Sequence, residues 1–418
     1  MFKPQRRKTP TEPVQKTTPS FEDLKQQLTA WATAEKIPGK IQAWFTADAT
    51  PENSDWRILK STRGEHEVLS IEAPAKEMPS PQIVTRVYEQ LKKEHLHVFK
   101  KALRQIWLRS IGDGQFAMLI QVNLKGRNSA HGYKTFIDFL QRNCPEVKSC
   151  HHIQCTPDNL FDPAGTISMK VESKIAFGSD FMPIGDSGIL MHVMDWSPRI
   201  KDAWFNLPKR IEAAIHPNRE DCFFEFYSGS SFVGASLAGL FKRVDSMDCR
   251  EYAMHSSKAN ARNAISENMK FHRGHVEAEF FKKFFGKAEN EGRWTFYLNI
   301  PGDETLAAGM ELAIAQARPE RILIQTRCLE TASKEIKRLR NEGYMLRKMI
   351  PMYLEPGSGR FEVLYLFVPD RAGILGQNPA IRGKSRNVQR PRERVFEQKT
   401  ENKPIFKQDV PTFKQRKG

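Results

Sequence analysis

The chain has 418 residues, length for two or three domains with real cores, and 39% hydrophobic with 10% aromatic content excludes a largely disordered protein. Its net charge of +16 sits mainly at the ends: residues 1–19 carry +4 and residues 370–418 carry +8, leaving about +4 for the body. Basic tails suit nucleic acid or another polyanion, or serve only solubility. No run of 18 apolar residues exists to span a membrane, and the start MFKPQRRKTPTEP has neither the apolar core nor the cleavage site of a secretory signal. Six scattered cysteines form no disulfide framework, so a reducing cytoplasm is the expected setting.

In chain order, residues 1–19 are rich in Pro, Thr and Lys and are expected to be a disordered basic tail. Residues 20–205 read as an α+β central domain. Helical periodicity marks 21–31, 81–103 and 133–142, and strands are expected at 42–46, 56–61, 66–71, 108–111, 116–122 and 167–171. Cys144, Cys150 and Cys155 enclose His151 and His152, but their spacing fits no compact zinc pattern. No metal or iron–sulfur cluster is expected.

From 206 to 369 the pattern becomes a regular alternation. Helices are expected at 207–215, 233–240, 251–264, 276–285, 304–317 and 329–342; strands at 222–227, 244–248, 269–272, 294–300 and 321–325. Two hairpin-connected strands, 345–352 and 361–368, close the series. This order predicts an α/β, Rossmann-like, doubly wound parallel sheet with an antiparallel strand at its end. Residues 370–418 form the second expected disordered tail. It repeats a phrase: Pro404-Ile-Phe-Lys-Gln408 and Pro411-Thr-Phe-Lys-Gln415. A Phe beside a Lys can stack on a base while the cation meets phosphate, can dock on a protein, or can recur by chance.

The residues of the C-terminal half resemble the RNA (uracil-5-)-methyltransferase family, whose fold is the class I S-adenosylmethionine-dependent one. Glu225-Phe-Tyr227-Ser-Gly229-Ser-Ser231-Phe-Val-Gly234 is similar to its cofactor loop, D-L-Y-C-G-x-G-x-F-x. Val244-Asp-Ser-Met-Asp248 resembles its V-x-G-V-E strand end, and Lys258-Ala-Asn260-Ala its next helix. Arg321-Ile-Leu-Ile-Gln-Thr-Arg327-Cys328 resembles R-I-L-Y-V-S-C-N, and Gly359-Arg-Phe-Glu362 resembles G-H-V-E. The resemblance implies a thiolate that adds to carbon 6 of uracil, so that carbon 5 attacks the cofactor's methyl group. It also implies a carboxylate base that then takes the carbon 5 proton, and a carboxylate that accepts from the ribose hydroxyls. On this basis Cys328 and Glu362 are the catalytic candidates. Glu225, Tyr227, Gly229, Asp248 and Asn299 are the cofactor-binding candidates. Arg327 and the tail residues Arg390, Arg392 and Arg394 are the RNA-binding candidates.

Several positions depart from the family's pattern. Aligned without a gap, Arg327 stands where the nucleophile belongs and Cys328 is one residue late. Ser231 replaces the second loop glycine, where a Cβ crowds an approaching ligand. Asn299-Ile-Pro301-Gly302 replaces D-P-P-R, His275 replaces an Asp, and Asp195 replaces a cofactor-facing Gln. The first reading is therefore a degenerate member, a pseudoenzyme. It keeps the fold, binds structured RNA (tRNA or rRNA) as a monomer away from membranes, and has methyl transfer lost or altered. S-adenosylmethionine is a possible cofactor that such a protein can also have lost. The second reading is an active uracil-C5 methyltransferase in which Cys328 is the nucleophile and Glu362 the base. The third is a protein-interaction scaffold that uses its tails. Glu362 and Asp248 also fit ordinary strand-end carboxylates paired with Lys or Arg, and Cys328 a small buried residue.

Overall fold

The computed structural model describes residues 18–370 except 64–65, 76, 125, 155–172, 196, 263–266, 288–291, 302–304, 308 and 328. It begins with α1 (Phe21–Ala34), opened by a capping box in which Ser20 and Asp23 each satisfy the other's backbone N–H. Two short strands follow, β1 (Lys40–Ile41) and β2 (Phe45–Thr46).

The central sheet comprises β3 (Trp56–Arg63), β4 (His66–Glu72), β5 (Leu103–Gly112), β6 (Gln115–Val122), β7 (Val147–Gln154) and β8 (Ser173–Phe177), in the order β4-β3-β5-β6-β7-β8. Every pair is antiparallel except β6 and β7. One face is covered by α2 (Gln82–Leu91), α3 (His97–Ala102) and α4 (Arg127–Asn143), whose Ile83, Val87, Phe99, Phe136 and Leu140 pack on Ile58, Ile106, Met118 and Ile120. α4 reaches α3 through Gly132, where any Cβ would lie 2.9 Å from that of Phe99. The other face carries Trp107, Leu119 and Ile153. They meet Met182, Val193 and Met194 in and beside the hairpin β9 (Phe181–Pro183) and β10 (Leu190–His192).

The helix expected over 81–103 is interrupted. α2 ends at Leu91, a 3-10 turn follows at Glu94–Leu96, and Leu103 is already extended strand. β7 and β8 were not expected, and the strand expected at 167–171 lies outside the described residues, as does Cys155. Cys144 and Cys150 are buried free thiols, and burial pushes both thiol pKa values up.

After α5 (Lys201–Phe205) and α6 (Leu207–Ile215) the expected alternation is present. It runs β11 (Cys222–Phe226), α7 (Phe232–Leu237), β12 (Arg243–Asp248), α8 (Glu251–Arg262), β13 (Met269–Arg273), α9 (Ala278–Phe285), β14 (Trp294–Asn299) and α10 (Met310–Gln316). Then come β15 (Arg321–Thr326), α11 (Leu329–Asn341), β16 (Tyr344–Tyr353) and β17 (Glu362–Pro369). β11 is buried at every position, as a near-continuous apolar run covered on both faces must be. On one face lie Phe281, Met310, Ile314, Ile336 and Leu339; on the other Trp204, Ile211, Val233 and Leu237.

The sheet order is β13-β12-β11-β14-β15-β17-β16-β1. Neighbours from β13 to β15 are parallel, while β17 is antiparallel to both β15 and β16. The antiparallel strand is thus not at the end of the sheet, as the sequence suggested. After β15 the chain crosses by α11 past one empty slot to lay down β16, and the hairpin return fills that slot with β17. The register Thr326↔Val363 then brings the end of β15 beside Glu362.

The first segment of the expected 20–205 unit also lies elsewhere. β1 and β2 pair in parallel with β16, and Leu24, Leu28 and Ala32 of α1 join the core of the C-terminal sheet.

Candidate functional site

The candidate residues gather at the C-terminal ends of the parallel strands, where open α/β sheets bind ligands. The loop from β11 to α7 turns sharply, with left-handed φ at Tyr227 (+56°), Gly229 (+56°) and Ser231 (+62°). Only Gly229 takes this region without a steric cost. Ser231 is buried, and its hydroxyl lies 3.1 Å from that of Ser257 on α8 and 3.3 Å from that of Ser228. The serine that replaces a glycine is therefore turned onto α8.

Glu225 is turned onto α7. It is buried, and its carboxylate accepts from the Gly234 N–H at 2.7 Å, holding the first turn of α7. A Cβ at position 234 would sit 2.7 Å from the same oxygen, so glycine there permits the contact. Burial pushes the Glu225 pKa up to about 8, which makes it a structural acid that is mostly neutral at pH 7.

Asp248 ends β12 and is occupied. It accepts four hydrogen bonds: from Gly229 N–H (2.8 Å), Arg250 N–H (2.8 Å), Arg250 Nε (3.0 Å) and Arg250 Nη2 (2.8 Å). Burial alone would raise its pKa, but the charge and hydrogen bonds of Arg250 outweigh burial and hold the carboxyl below its ordinary value. Arg250 Nη1 also lies 4.0 Å from Asp195, whose other oxygen accepts from Ser256 Oγ at 2.7 Å. Burial opposes the charge of Arg250, and the two aspartates more than restore it. A carboxylate offers about four lone-pair sites, so Asp248 as folded has none left for a ribose diol. The residues present do not fit a bound S-adenosyl cofactor while Arg250 stays in place.

The catalytic candidates tell a parallel story. Glu362, at the start of β17, accepts from Arg327 Nε at 2.7 Å and from Gln325 Nε2 at 2.5 Å. Gln325 in turn accepts from the Tyr297 hydroxyl at 2.7 Å. Burial, then the charges of Glu225 and Glu362, push the Tyr297 pKa well up. Asn299 ends β14, half-buried, opposite Gln325 in register. Arg327, Glu362, Arg360 and Phe361 line a shallow hollow open to solvent. The position aligned with the nucleophile is thus bonded to the position aligned with the base. Cys328, Arg390, Arg392 and Arg394 lie outside the described residues.

α8 supplies a support, Asn260, whose role its motif did not reveal. Asn260 donates to Leu190 O (2.9 Å) and Ser230 O (3.2 Å) and accepts from Leu190 N–H (2.6 Å), which ties the loop to β10. Behind it, Lys201 donates to Asp55 (2.9 Å), Ser197 (2.6 Å) and Pro198 O (2.8 Å), and Arg109 to Ser197 and Val193 O. Lys201, Asp55 and Arg109 are almost wholly buried, and burial lowers the Lys201 pKa to about 8. The signal for Arg250 was present in the sequence as a cation two residues past a strand-end carboxylate, close enough to fold back on it.

No family model matches the chain. It is 23% identical over 303 residues to an uncharacterized RNA methyltransferase, YljE, of Lactococcus lactis subsp. lactis (strain IL1403), covering 68% of this chain. The chain spans about three fifths (61%) of the length of that curated relative. Among solved structures it is similar to the Pyrococcus abyssi tRNA (uracil-54, C5)-methyltransferase in complex with S-adenosyl-L-homocysteine. There the TM-score is 0.60, identity 11%, and 82% of each chain is covered. The sheet order and this likeness define a Rossmann-like class I methyltransferase fold. The relative at 23% identity carries an RNA methyltransferase name, the class that the motifs also resemble. No described helix is long and apolar enough to cross a membrane.

Proposed function

We propose that this protein is an RNA-binding relative of the RNA (uracil-5-)-methyltransferases in which methyl transfer has been lost. The observation that carries the reading is the 2.7 Å ion pair between Arg327 and Glu362. A guanidinium has no lone pair with which to add to a pyrimidine, and here it holds the carboxylate aligned with the base. The saturated Asp248 carboxylate supports the same reading from the cofactor side. RNA, as tRNA or rRNA, is the ligand class, because both compared proteins carry RNA methyltransferase names. The basic stretch 370–418, with Arg390, Arg392 and Arg394, then serves as an electrostatic arm for a monomer in the cytoplasm.

Two measurements test this. Incubation with methyl-labelled S-adenosylmethionine and total RNA should transfer no label to uridine. Label that disappears in Cys328→Ala and Glu362→Gln would overturn the proposal in favour of an active enzyme. Binding to tRNA or rRNA fragments should weaken steeply with salt. Removal of 371–418 should flatten that dependence, by about 0.7–0.9 in logarithmic slope for each phosphate that the arm neutralises. Absence of RNA binding would refute the proposal.

A further inference from the structure

The strongest unexplained feature is that a cation from the protein itself occupies the hydrogen-bonding positions of Asp248. Arg250 lies just past β12, and its side chain folds back so that Nε and Nη2 both reach that carboxylate. The remaining guanidinium nitrogen, Nη1, points toward Asp195. Each aspartate has a second support independent of Arg250, namely the Gly229 N–H for Asp248 and Ser256 Oγ for Asp195. Removal of the guanidinium therefore leaves two positioned carboxylates, an oriented backbone turn and the volume of one planar, hydrogen-bond-donating group. Adjacent hydroxyls on a ring are donors of that kind.

We propose that Arg250 is a built-in plug of a latent nucleoside subsite, and that position 250 decides whether the cleft admits a ligand with a vicinal ribose diol. This deepens the proposed function by naming what keeps the cleft closed. The two fail separately: methyl transfer by the wild-type protein ends the proposed function, whereas the plug stands or falls on nucleoside affinity.

The test is calorimetric titration of the full-length wild type, Arg250→Ala, Arg250→Gln and Arg250→Ala/Asp248→Asn with adenosine, deoxyadenosine and S-adenosylhomocysteine. The wild type should show no binding at millimolar ligand. Arg250→Ala should bind adenosine at least about tenfold more tightly, the equivalent of one hydrogen bond to a charged group. Deoxyadenosine and the double variant should lose that gain. Methylguanidinium should compete with adenosine and raise the unfolding temperature of Arg250→Ala, because it refills the vacated place. Arg250→Gln removes both guanidinium nitrogens that hold Asp248, keeps part of the side-chain bulk, and serves if the alanine variant does not fold. Folded variants with unchanged adenosine affinity would overturn the plug, as would wild-type protein that binds S-adenosylhomocysteine as tightly as they do.

Discussion

Replacing Glu225 by Gln tests whether that residue is a structural acid or a ligand contact. Its carboxyl is buried between β11 and α7, and its pKa rises from the ordinary 4.5 to about 8. Between those values the folded protein keeps a proton that the unfolded chain has released. Folding stability therefore falls as pH rises, by at most about 1.4 kcal/mol per pH unit from this group. At pH 7 the accumulated penalty is about 3 kcal/mol. Glutamine keeps an oxygen for the Gly234 N–H, and its amide can donate to Ser246, which already lies against Glu225. It carries no ionisation penalty. Glu225→Gln should thus be more stable than wild type at neutral pH by about 1–3 kcal/mol after packing adjustments, and should lose the slope. Urea unfolding followed from about pH 5 to about pH 8 measures both quantities. Parallel stability curves for the two proteins would refute the reasoning, since they would mean that Glu225 is ionised in the folded state.

Three further outcomes follow from the same geometry. Lys201→Met removes the 2.9 Å charge partner of buried Asp55, which keeps Arg109 Nε at 3.7 Å and the Ser110 N–H at 2.8 Å, and should cost about 3–5 kcal/mol in chemical denaturation; a loss under about 1 kcal/mol would mean that the network is not coupled. Gly234→Ala places a methyl 2.7 Å from Glu225 Oε2 and 3.1 Å from Val244 Cγ1, and should cost about 1–3 kcal/mol in the same assay. Arg327→Ala should cost only about 1 kcal/mol, because the Arg327 side chain is 27% exposed and Glu362 keeps Gln325; a loss as large as that of Lys201→Met would contradict this.

The C-terminal alternation was legible because each strand is a short apolar run bounded by turn residues and each helix repeats its apolar positions at helical spacing. α6 and the paired strands β11 and β12 fall within about one residue of expectation for that reason. β7 escaped because Val147–Gln154 reads V-K-S-C-H-H-I-Q, polar in composition yet buried at five positions where Ser149 and His151 find partners. The placement of β17 between β15 and β16 escaped because a hairpin in sequence does not say which strand joins the existing sheet. In the site, the locations of Gly229, Asp248 and Glu362 could be read from motif order. Their states could not: whether a carboxylate is free, capped or plugged depends on which side chain folds onto it, and neither the motif position of Arg327 nor the spacing of Arg250 from Asp248 says that it does.

The pairing of β1 and β2 with β16 closes the sheet with residues from opposite ends of the polypeptide. During synthesis, the apolar stripe of α1 emerges from the ribosome long before its docking surface exists. Such distant closure slows folding and leaves a sticky nascent segment in need of shelter. It also means that the methyltransferase-like half cannot be excised as a fragment beginning near residue 206 without baring the backbone edge of β16, an invitation to aggregation.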